Sequence, residues 1–214
     1  DYLWVKPNAM PGYWCNRLRD EWEYCFHFTK NKKFAMYQDA VRKPLGDWAE
    51  KRLSNLNGKS AERHNSENDS GFGRDLRNWL GKETVLPGNV LQIPLVGKNM
   101  GHPAVYPTKL PEFFIMLFTK KGDNVLDPFA GVGGSLLGAS LCEEPRHAVG
   151  IELVPEYVEA YRTATARLGL ATESMICDDA RSLSKYQDVT HREFGLIVAD
   201  PPYHDMMNRR KQGQ

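Results

Sequence analysis

Four acidic residues in the carboxyl-terminal half of the chain each close an apolar segment: Asp127, Glu152, Asp179 and Asp200. A carboxylate accepts hydrogen bonds from hydroxyl, amine and ammonium groups. If the four segments are strands of one parallel sheet, their carboxyl ends meet at one edge, where open α/β sheets bind ligands. The pattern therefore predicts a single crevice lined by carboxylates.

A glycine-rich turn follows the first of these segments, with Gly131, Gly133 and Gly134 in LDPFAGVGGS. Such glycines let the backbone approach a ligand closely, although many turns of this kind are only structural. Glu152, about 25 residues after Asp127, stands where a carboxylate can accept both hydroxyls of a ribose. No Lys-Ser or Lys-Thr pair follows the glycines, and Asp127 would repel a pyrophosphate. A cationic nucleoside cofactor such as S-adenosylmethionine, which carries an ammonium and a sulfonium, has the matching charge.

The fourth acid begins the tetrapeptide Asp200-Pro201-Pro202-Tyr203. Two prolines fix an extended turn whose carbonyls are free to accept hydrogen bonds from a ligand. A carboxylate together with a proline carbonyl can accept both hydrogens of an exocyclic amine, and a tyrosine ring can stack on the flat base that carries it. The alternative is a Pro-Pro turn that merely ends a strand.

The elements around these residues read as alternating strands and helices. Pro155 suits a first helical turn and Gly169 a helix end, and Pro111 opens another helix. Continuous apolar runs indicate strands covered on both faces, as in a parallel sheet. The four strand candidates are NVLDPF, HAVGIEL, SMICDDA and GLIVADPPY. The sequence therefore predicts an α/β, Rossmann-like fold with a predominantly parallel sheet.

The rest of the chain divides into three predicted regions. Residues 1–42 contain two aromatic runs separated by a Pro/Gly-rich stretch, which predicts a strand hairpin. Residues 43–98 form a polar insert and a candidate target-recognition region, with a flexible spacer as the alternative. Residues 99–214 form the cofactor-binding and catalytic half.

Composition excludes several classes of protein. The 214 residues, 41% of them hydrophobic, carry a formal net charge of +1, so neither a polycation nor a disordered chain fits. We expect a cytoplasmic protein, because no apolar run is long enough for a membrane span and no signal peptide is seen. The four cysteines form no Cys-x-x-Cys pair and the six histidines do not cluster, so no metal is predicted.

The series DPFAG, IEL, DDA and ADPPY resembles the motifs of S-adenosylmethionine-dependent methyltransferases that modify exocyclic amines of nucleic-acid bases. GHPAVYP resembles their methionine-contacting His-Pro segment. WVKPN and EWEYCFHFTK are similar to the strand hairpin of beta-class DNA N6-adenine and N4-cytosine enzymes. In that class the Asp-Pro-Pro-Tyr motif comes first, whereas here it comes last, which suggests a permuted or truncated arrangement.

The resemblance implies a role for each candidate residue. The implied cofactor contacts are His102, Pro103, Asp127, Phe129, Gly131 and Gly133 for the methionine end, Glu152 for the ribose and Asp179 for the adenine amine. The implied catalytic residues are Asp200, Pro201, Pro202 and Tyr203. They would transfer a methyl group to a base flipped out of double-stranded DNA, with N6 of adenine favoured over N4 of cytosine, as in restriction-modification enzymes.

Two alternatives stay open at this point: an RNA guanine-N2 methyltransferase, and a catalytically silent nucleic-acid-binding fragment. The Asp-Pro-Pro-Tyr motif and the Gly-x-Gly-Gly turn also resemble the first group, while the amino-terminal hairpin favours DNA. Because the tetrapeptide lies close to Gln214, we expect the chain as given to bind cofactor but to turn over poorly.

Overall fold

The computed structural model describes residues 1–13, 15–54, 62–63, 74–75, 79–97, 105–170 and 175–202. The chain forms two compact units. The first consists of Asp1–Ala40 and Asn89–Gln214, and the second of Val41–Gly88. His102, Pro103 and Tyr203 lie outside the described residues.

Strands and helices are numbered in chain order over the described residues. The strands are β1 (Tyr2–Val5), β2 (Trp22–Cys25), β3 (Lys43–Pro44), β4 (Glu62–Arg63), β5 (Arg74–Asp75), β6 (Thr84–Val85), β7 (Val90–Gln92), β8 (Asn124–Asp127), β9 (His147–Glu152), β10 (Met175–Cys177) and β11 (Leu196–Ile197). The α-helices are α1 (Asp47–Ser54), α2 (Lys109–Phe118), α3 (Gly134–Leu141), α4 (Pro155–Leu168) and α5 (Gln187–Thr190), and 3-10 helices span Gln38–Val41 and Ala180–Lys185. Among the described residues, no helix is both long and apolar enough to cross a membrane.

The centre of the first unit is a four-stranded sheet in the order β10-β9-β8-β11, with every neighbouring pair parallel. Strands β8 to β11 are the four that the sequence predicts, and the α/β class with a parallel sheet is confirmed. Pro155 begins α4, and the chain leaves this helix at Gly169, whose φ of 67° is left-handed. The predicted start and end of this helix are therefore correct.

Both faces of this sheet are covered, because side chains alternate along each strand. On β8, Val125 packs into one core cluster with Ile115 and Tyr161, whereas its neighbour Leu126 packs into a second cluster with Val189. The first cluster is built with α2, α3 and α4, and the second with α5 and the Ala180–Lys185 helix. Each fully buried branched side chain contributes about 1.5–3 kcal/mol of stability.

The amino-terminal hairpin is present: β1 and β2 pair antiparallel, with Leu3 opposite Tyr24. A third strand that the sequence analysis missed, β7, pairs parallel with β1 and gives the sheet order β2-β1-β7. Side chains extend this pairing, since the Asn8 amide both donates to and accepts from the backbone of Leu95, at 2.9 and 2.7 Å. The sheet packs on α2 through Trp4, Leu91 and Leu110.

The second unit holds short antiparallel pairs. β3 pairs with β6, with Lys43 opposite Val85, and β4 pairs with β5, with Glu62 opposite Asp75. Helix α1 follows β3 directly. This unit, Val41–Gly88, overlaps most of the predicted 43–98 insert, but β7 of that segment belongs to the first unit.

A buried arginine secures the end of α2. Arg146, only 8% exposed, donates from Nη2 to the carbonyl of Thr119 at 2.9 Å and from Nε to its hydroxyl oxygen at 3.2 Å. Thr119 follows the last residue of α2 and is itself fully buried. A cation at a helix carboxyl terminus is favoured by the helix dipole and satisfies carbonyls that have no partner in the helix.

Replacing this guanidinium should therefore destabilise the fold. We expect Arg146→Ala to lower the free energy of unfolding by about 2–4 kcal/mol, since buried carbonyl and hydroxyl groups lose their donors. Arg167→Ala, on the exposed last turn of α4, is the matched control and should change stability by less than about 0.5 kcal/mol. Urea denaturation of both variants measures the difference, and equal stabilities would contradict the role given to Arg146.

Candidate functional site

The sheet order defines the position of the site. From β8 the chain proceeds to β9 and β10 on one side, and then returns to place β11 on the other side. The crevice outside the carboxyl ends of β8 and β11 is therefore a topological switch point, where open α/β sheets bind ligands. Asp127 ends β8, and Asp200 follows three residues after the end of β11.

Asp127 is the buried centre of this edge. Its side chain is 0% exposed, and it accepts hydrogen bonds from the Phe129 amide (2.9 Å), the Tyr106 hydroxyl (3.3 Å) and the Ser135 hydroxyl. Burial raises the pKa of Asp127 to about 6, with the negative charge of Asp200 adding to the rise and the three donors opposing it. The resemblance assigns this carboxylate to the cofactor, but it already accepts hydrogen bonds within the protein. Its three partners connect β8 to the glycine turn, to α3 and to the segment before α2.

Tyr106 and Ser135 are partners that the sequence analysis did not assign. Ser135 is fully buried in the first turn of α3, so its hydroxyl faces Asp127 and not an open pocket. The Tyr106 ring packs under Gly134, where an added Cβ would lie 3.0 Å from the ring. Burial, followed by the charges of Asp127 and Asp200, raises the pKa of Tyr106 well above its usual value. The phenol therefore stays protonated and remains a hydrogen-bond donor to Asp127 at any physiological pH.

Two glycines of the turn have left-handed backbone conformations, which favour glycine over other residues. Gly131 has a φ of 54°, and its N–H donates to Glu152 Oε2 at 2.8 Å. Gly133 has a φ of 83°, and a Cβ placed there would lie 2.1 Å from the ring of Tyr161 on α4. At Gly133 the group that the backbone approaches is a core tyrosine of the same chain, whereas the sequence predicted the approach of a ligand.

Glu152, at the end of β9, is partly exposed and bridges two backbone segments. Its Oε2 accepts from Gly131, and its Oε1 accepts from the Val154 amide, both at 2.8 Å. A carboxylate offers about four lone-pair positions, so two remain for further donors. This geometry fixes the orientation of the carboxylate and leaves it able to accept hydrogen bonds from hydroxyl groups.

After β10, two adjacent acids face different partners. Asp178 accepts from the Tyr186 hydroxyl at 2.6 Å and from the Asp179 amide at 2.7 Å. Asp179 accepts hydrogen bonds from three groups of Arg181: the backbone amide at 2.9 Å, Nε at 3.0 Å and Nη2 at 2.6 Å. The side-chain hydrogen bonds, and after them the backbone hydrogen bond, lower the pKa of Asp179 to about 2. The Arg181 side chain is 91% exposed. Asp179 is therefore ionised and paired with a guanidinium that can move.

The Asp200-Pro201-Pro202 segment is exposed at the switch point. The charge of Asp200 contributes to the raised pKa of Asp127 and of Tyr106, and also to the raised pKa of Cys25 on β2. Burial first, then Glu23 and Asp200, raises the pKa of Cys25 to about 11. The charge of Asp200 therefore acts both at the cofactor edge and at the hairpin.

Comparison with known proteins identifies the family. The profile of the N6/N4 methyltransferases, described as DNA methylase, matches residues 1–163. The chain belongs to this DNA methylase family. The resemblance seen in the motifs is thereby confirmed.

Two relatives in sequence and one solved structure show how much of this DNA methylase chain is similar to known proteins. Type II methyltransferase M.Cfr9I of Citrobacter freundii is 36% identical over 160 residues, which are 74% of this chain and 41% of that protein. A tRNA (guanine(10)-N2)-dimethyltransferase of Methanothermobacter thermautotrophicus is 34% identical over 103 residues, 48% of this chain and 29% of that protein. The structure titled PvuII DNA methyltransferase (cytosine-N4-specific) aligns at 22% identity over 92% of this chain and 57% of that chain, with a TM-score of 0.49. The chain thus spans about two fifths of the length of the Citrobacter relative.

Gly133 and Gly169 provide a matched pair for testing the turn. Both have left-handed φ angles, but a Cβ at Gly169 would meet nothing within 4 Å. We expect Gly169→Ala to cost about 1–2 kcal/mol of unfolding free energy for the conformation alone, and Gly133→Ala to cost about 2 kcal/mol more because of the collision with Tyr161. Denaturation in urea measures both, and similar losses would show that the ring gives way easily.

The raised pKa of Asp127 predicts a pH dependence of stability. The folded protein holds this proton up to about pH 6, whereas an unfolded aspartate releases it near pH 3.9, so stability is lost as pH rises through that window. Relative to Asp127→Asn, which cannot titrate, the parent should lose on the order of 3 kcal/mol between pH 4 and 7. Asp188→Asn on exposed α5 is the control. A parent-to-variant difference that is constant with pH would contradict the conclusion that the three donors only partly compensate the burial of the Asp127 charge.

Proposed function

We propose that this chain carries the cofactor edge and the Asp-Pro-Pro-Tyr site of an S-adenosylmethionine-dependent DNA amino-methyltransferase. The observation that carries the proposal is the position of Asp200. It is exposed at the switch point and close to Asp127, in a chain of the DNA methylase family. A second, finer proposal is that the target is N6 of adenine in preference to N4 of cytosine, and it rests on the aspartate that begins the motif.

The residues at the sheet edge have the chemistry that this cofactor requires. Glu152 keeps free lone pairs and a fixed orientation, which suits two ribose hydroxyls. Asp179 is ionised, and it can accept the adenine amine if the exposed Arg181 moves aside, since an exposed ion pair is worth only about 0–1 kcal/mol. The bound cofactor would supply an electrophilic methyl group on its sulfonium.

Asp127 has a positioning role in this proposal. Because its carboxylate is fully buried, it acts through the groups that it holds, namely Phe129 and Ser135 on either side of the glycine turn. The Phe129 ring is 37% exposed beside that turn and is available to contact the cofactor. His102 and Pro103 keep their sequence-based assignment to the methionine end.

At the catalytic end, Asp200 and the Pro201 carbonyl would accept the two hydrogens of the target amine. Holding the nitrogen in this way aims its lone pair at the methyl group, and positioning supplies most of the rate. Pro202 fixes the turn, and Tyr203 would stack on the base. A base inside a duplex must be flipped out to reach this position, at a cost of a few kcal/mol, offset by stacking and by hydrogen bonds to its edge.

An RNA guanine-N2 methyltransferase is the second candidate. The 34% identity to the archaeal tRNA enzyme favours it, but that match covers 48% of the chain. The DNA methylase profile, in contrast, includes the hairpin as well as β8 and β9. The wider match supports DNA as the first choice.

A methyl-transfer assay with binding controls tests the proposal. We expect labelled methyl from S-adenosylmethionine to appear as N6-methyladenine in duplex DNA, detected by mass spectrometry with protein in excess so that slow transfer is seen. Asp200→Asn should reduce transfer at least about 100-fold and leave cofactor affinity within about twofold, since the neutral amide that replaces the carboxylate is a weaker acceptor for the target amine. Glu152→Gln should weaken cofactor binding about tenfold in calorimetry, for a loss near 1.4 kcal/mol.

Glu156→Gln, on the exposed first turn of α4, is the matched control and should change neither property. Label found only in cytosine would overturn the adenine assignment, and label found only in RNA would favour the second candidate. Cofactor affinity unchanged by Glu152→Gln would remove the ribose assignment.

A further inference from the structure

Tyr106 joins parts of the chain that are distant in sequence. It lies in the segment before α2, and its hydroxyl donates to Asp127 Oδ2 at the end of β8, at 3.3 Å. Its ring lies against Gly134, the first residue of α3. The side chain also packs against the buried cluster that contains Trp4, between the hairpin sheet and α2. One tyrosine therefore connects the hairpin sheet to the cofactor edge.

The Tyr106 hydroxyl is one of three donors that together match only the ionised form of Asp127. The Phe129 amide donates to Oδ1, whereas the hydroxyls of Tyr106 and Ser135 both donate to Oδ2. A carboxylate can accept all three hydrogen bonds, but a protonated carboxyl has to donate one of its own. Protonation of Asp127 would therefore disturb a hydrogen bond at one end or the other of the glycine turn.

Burial places this ionisation in a narrow balance. The Asp127 side chain has 0% exposure, and burial raises its pKa to about 6. The hydrogen bonds from Ser135, Phe129 and Tyr106 lower the pKa, and the negative charge of Asp200 raises it. These are the groups that act on Asp127 in the part of the chain that the structure describes. The loss of one donor would therefore favour the protonated form near neutral pH.

We propose that Tyr106 is a positioning residue for the cofactor, because its hydroxyl keeps the Asp127 carboxylate ionised and the glycine turn in its binding geometry. A buried negative charge beside the turn attracts a cationic cofactor, since Coulomb attraction is strong where water is excluded. Tyr106 acts through Asp127 and not on the reacting atoms. The inference rests on the proposed function for its cofactor, S-adenosylmethionine.

The pH dependence of cofactor binding tests this role. Tyr106→Phe keeps the ring against Gly134 but removes one hydrogen bond to a charged group, which should raise the pKa of Asp127 from about 6 to about 7. At pH 6 the variant should bind S-adenosylmethionine about fivefold more weakly than the parent in calorimetry. At pH 8, where the carboxyl is ionised in both proteins, the affinities should agree within about twofold. The quantity compared is the variant-to-parent ratio, in which the titration of the cofactor itself cancels.

A double-mutant cycle with Asp127→Asn isolates the interaction. In that background Tyr106→Phe should change the affinity by the same factor at pH 6 and pH 8, because asparagine cannot ionise. Tyr13→Phe removes a hydroxyl from a residue that is 90% exposed in the hairpin loop, and this matched control should leave the affinity unchanged.

A measurement without cofactor tests the ionisation directly. In urea denaturation, the stability of Tyr106→Phe should continue to fall as pH rises to about 7, whereas the fall in the parent ends near pH 6. The same experiment at pH 8 shows whether each variant is folded.

Three outcomes would decide against the role of Tyr106. A variant-to-parent ratio that is the same at pH 6 and pH 8 would make Tyr106 a structural contact only. A ratio that still depends on pH in the Asp127→Asn background would show that the effect acts through another group. If the parent itself does not bind S-adenosylmethionine, the proposed function fails and this inference fails with it, whereas the first two outcomes leave the proposed function intact.

Discussion

The burial of one carboxylate sets the geometry of the whole sheet edge. Asp127 lies at 0% exposure, and a charge in that position is tolerable only where several donors converge on it. The donors come from three separate segments, through Phe129, Ser135 and Tyr106. Satisfying Asp127 therefore requires that the end of β8, the start of α3 and the segment before α2 adopt one arrangement, and this arrangement aims the glycine turn at the crevice.

Along the same edge, the electrostatic environment changes with depth. Burial raises the pKa of Asp127, whereas hydrogen-bond donors lower the pKa of Asp178 and Asp179. The pKa of an aspartate at this edge is thus raised where desolvation is the larger effect and lowered where hydrogen-bond donors are the larger effect. The acids that a cationic ligand can reach lie at or after the ends of β9, β10 and β11, while the buried Asp127 holds the turn in place.

The sequence predicts the elements of this sheet well because local signals agree with one another. Continuous apolar runs, a glycine turn and a proline at the first turn of α4 each indicate the same βαβ pattern. Strand β7 was missed because the apolar run VLQIPLV that contains it was assigned to the polar 43–98 insert, and because its pairing with β1 is made by residues nearly ninety positions away. The partners of Asp127 and Asp179 were missed for a related reason: composition shows which acids exist, but only packing shows which donors reach them. On α4, the apolar Leu168 is exposed whereas Thr165 is fully buried, because its hydroxyl donates to the Tyr161 carbonyl, so residue type alone does not show which face packs.

The hairpin strand β2 has one side that packs on the protein and one side that faces solvent. Along Trp22–Phe28 alternate residues face opposite ways: Cys25 in β2 and His27 just beyond it pack against the protein, and Tyr24 and Phe26 point outward. A polar residue at those outward positions would have been the default, since exposed edge strands favour aggregation. Aromatic residues at four alternate positions, Trp22, Tyr24, Phe26 and Phe28, leave an exposed apolar row instead. On the inward side, the charge of Asp200 contributes to the raised pKa of Cys25, so the hairpin and the Asp200 segment are electrostatically coupled.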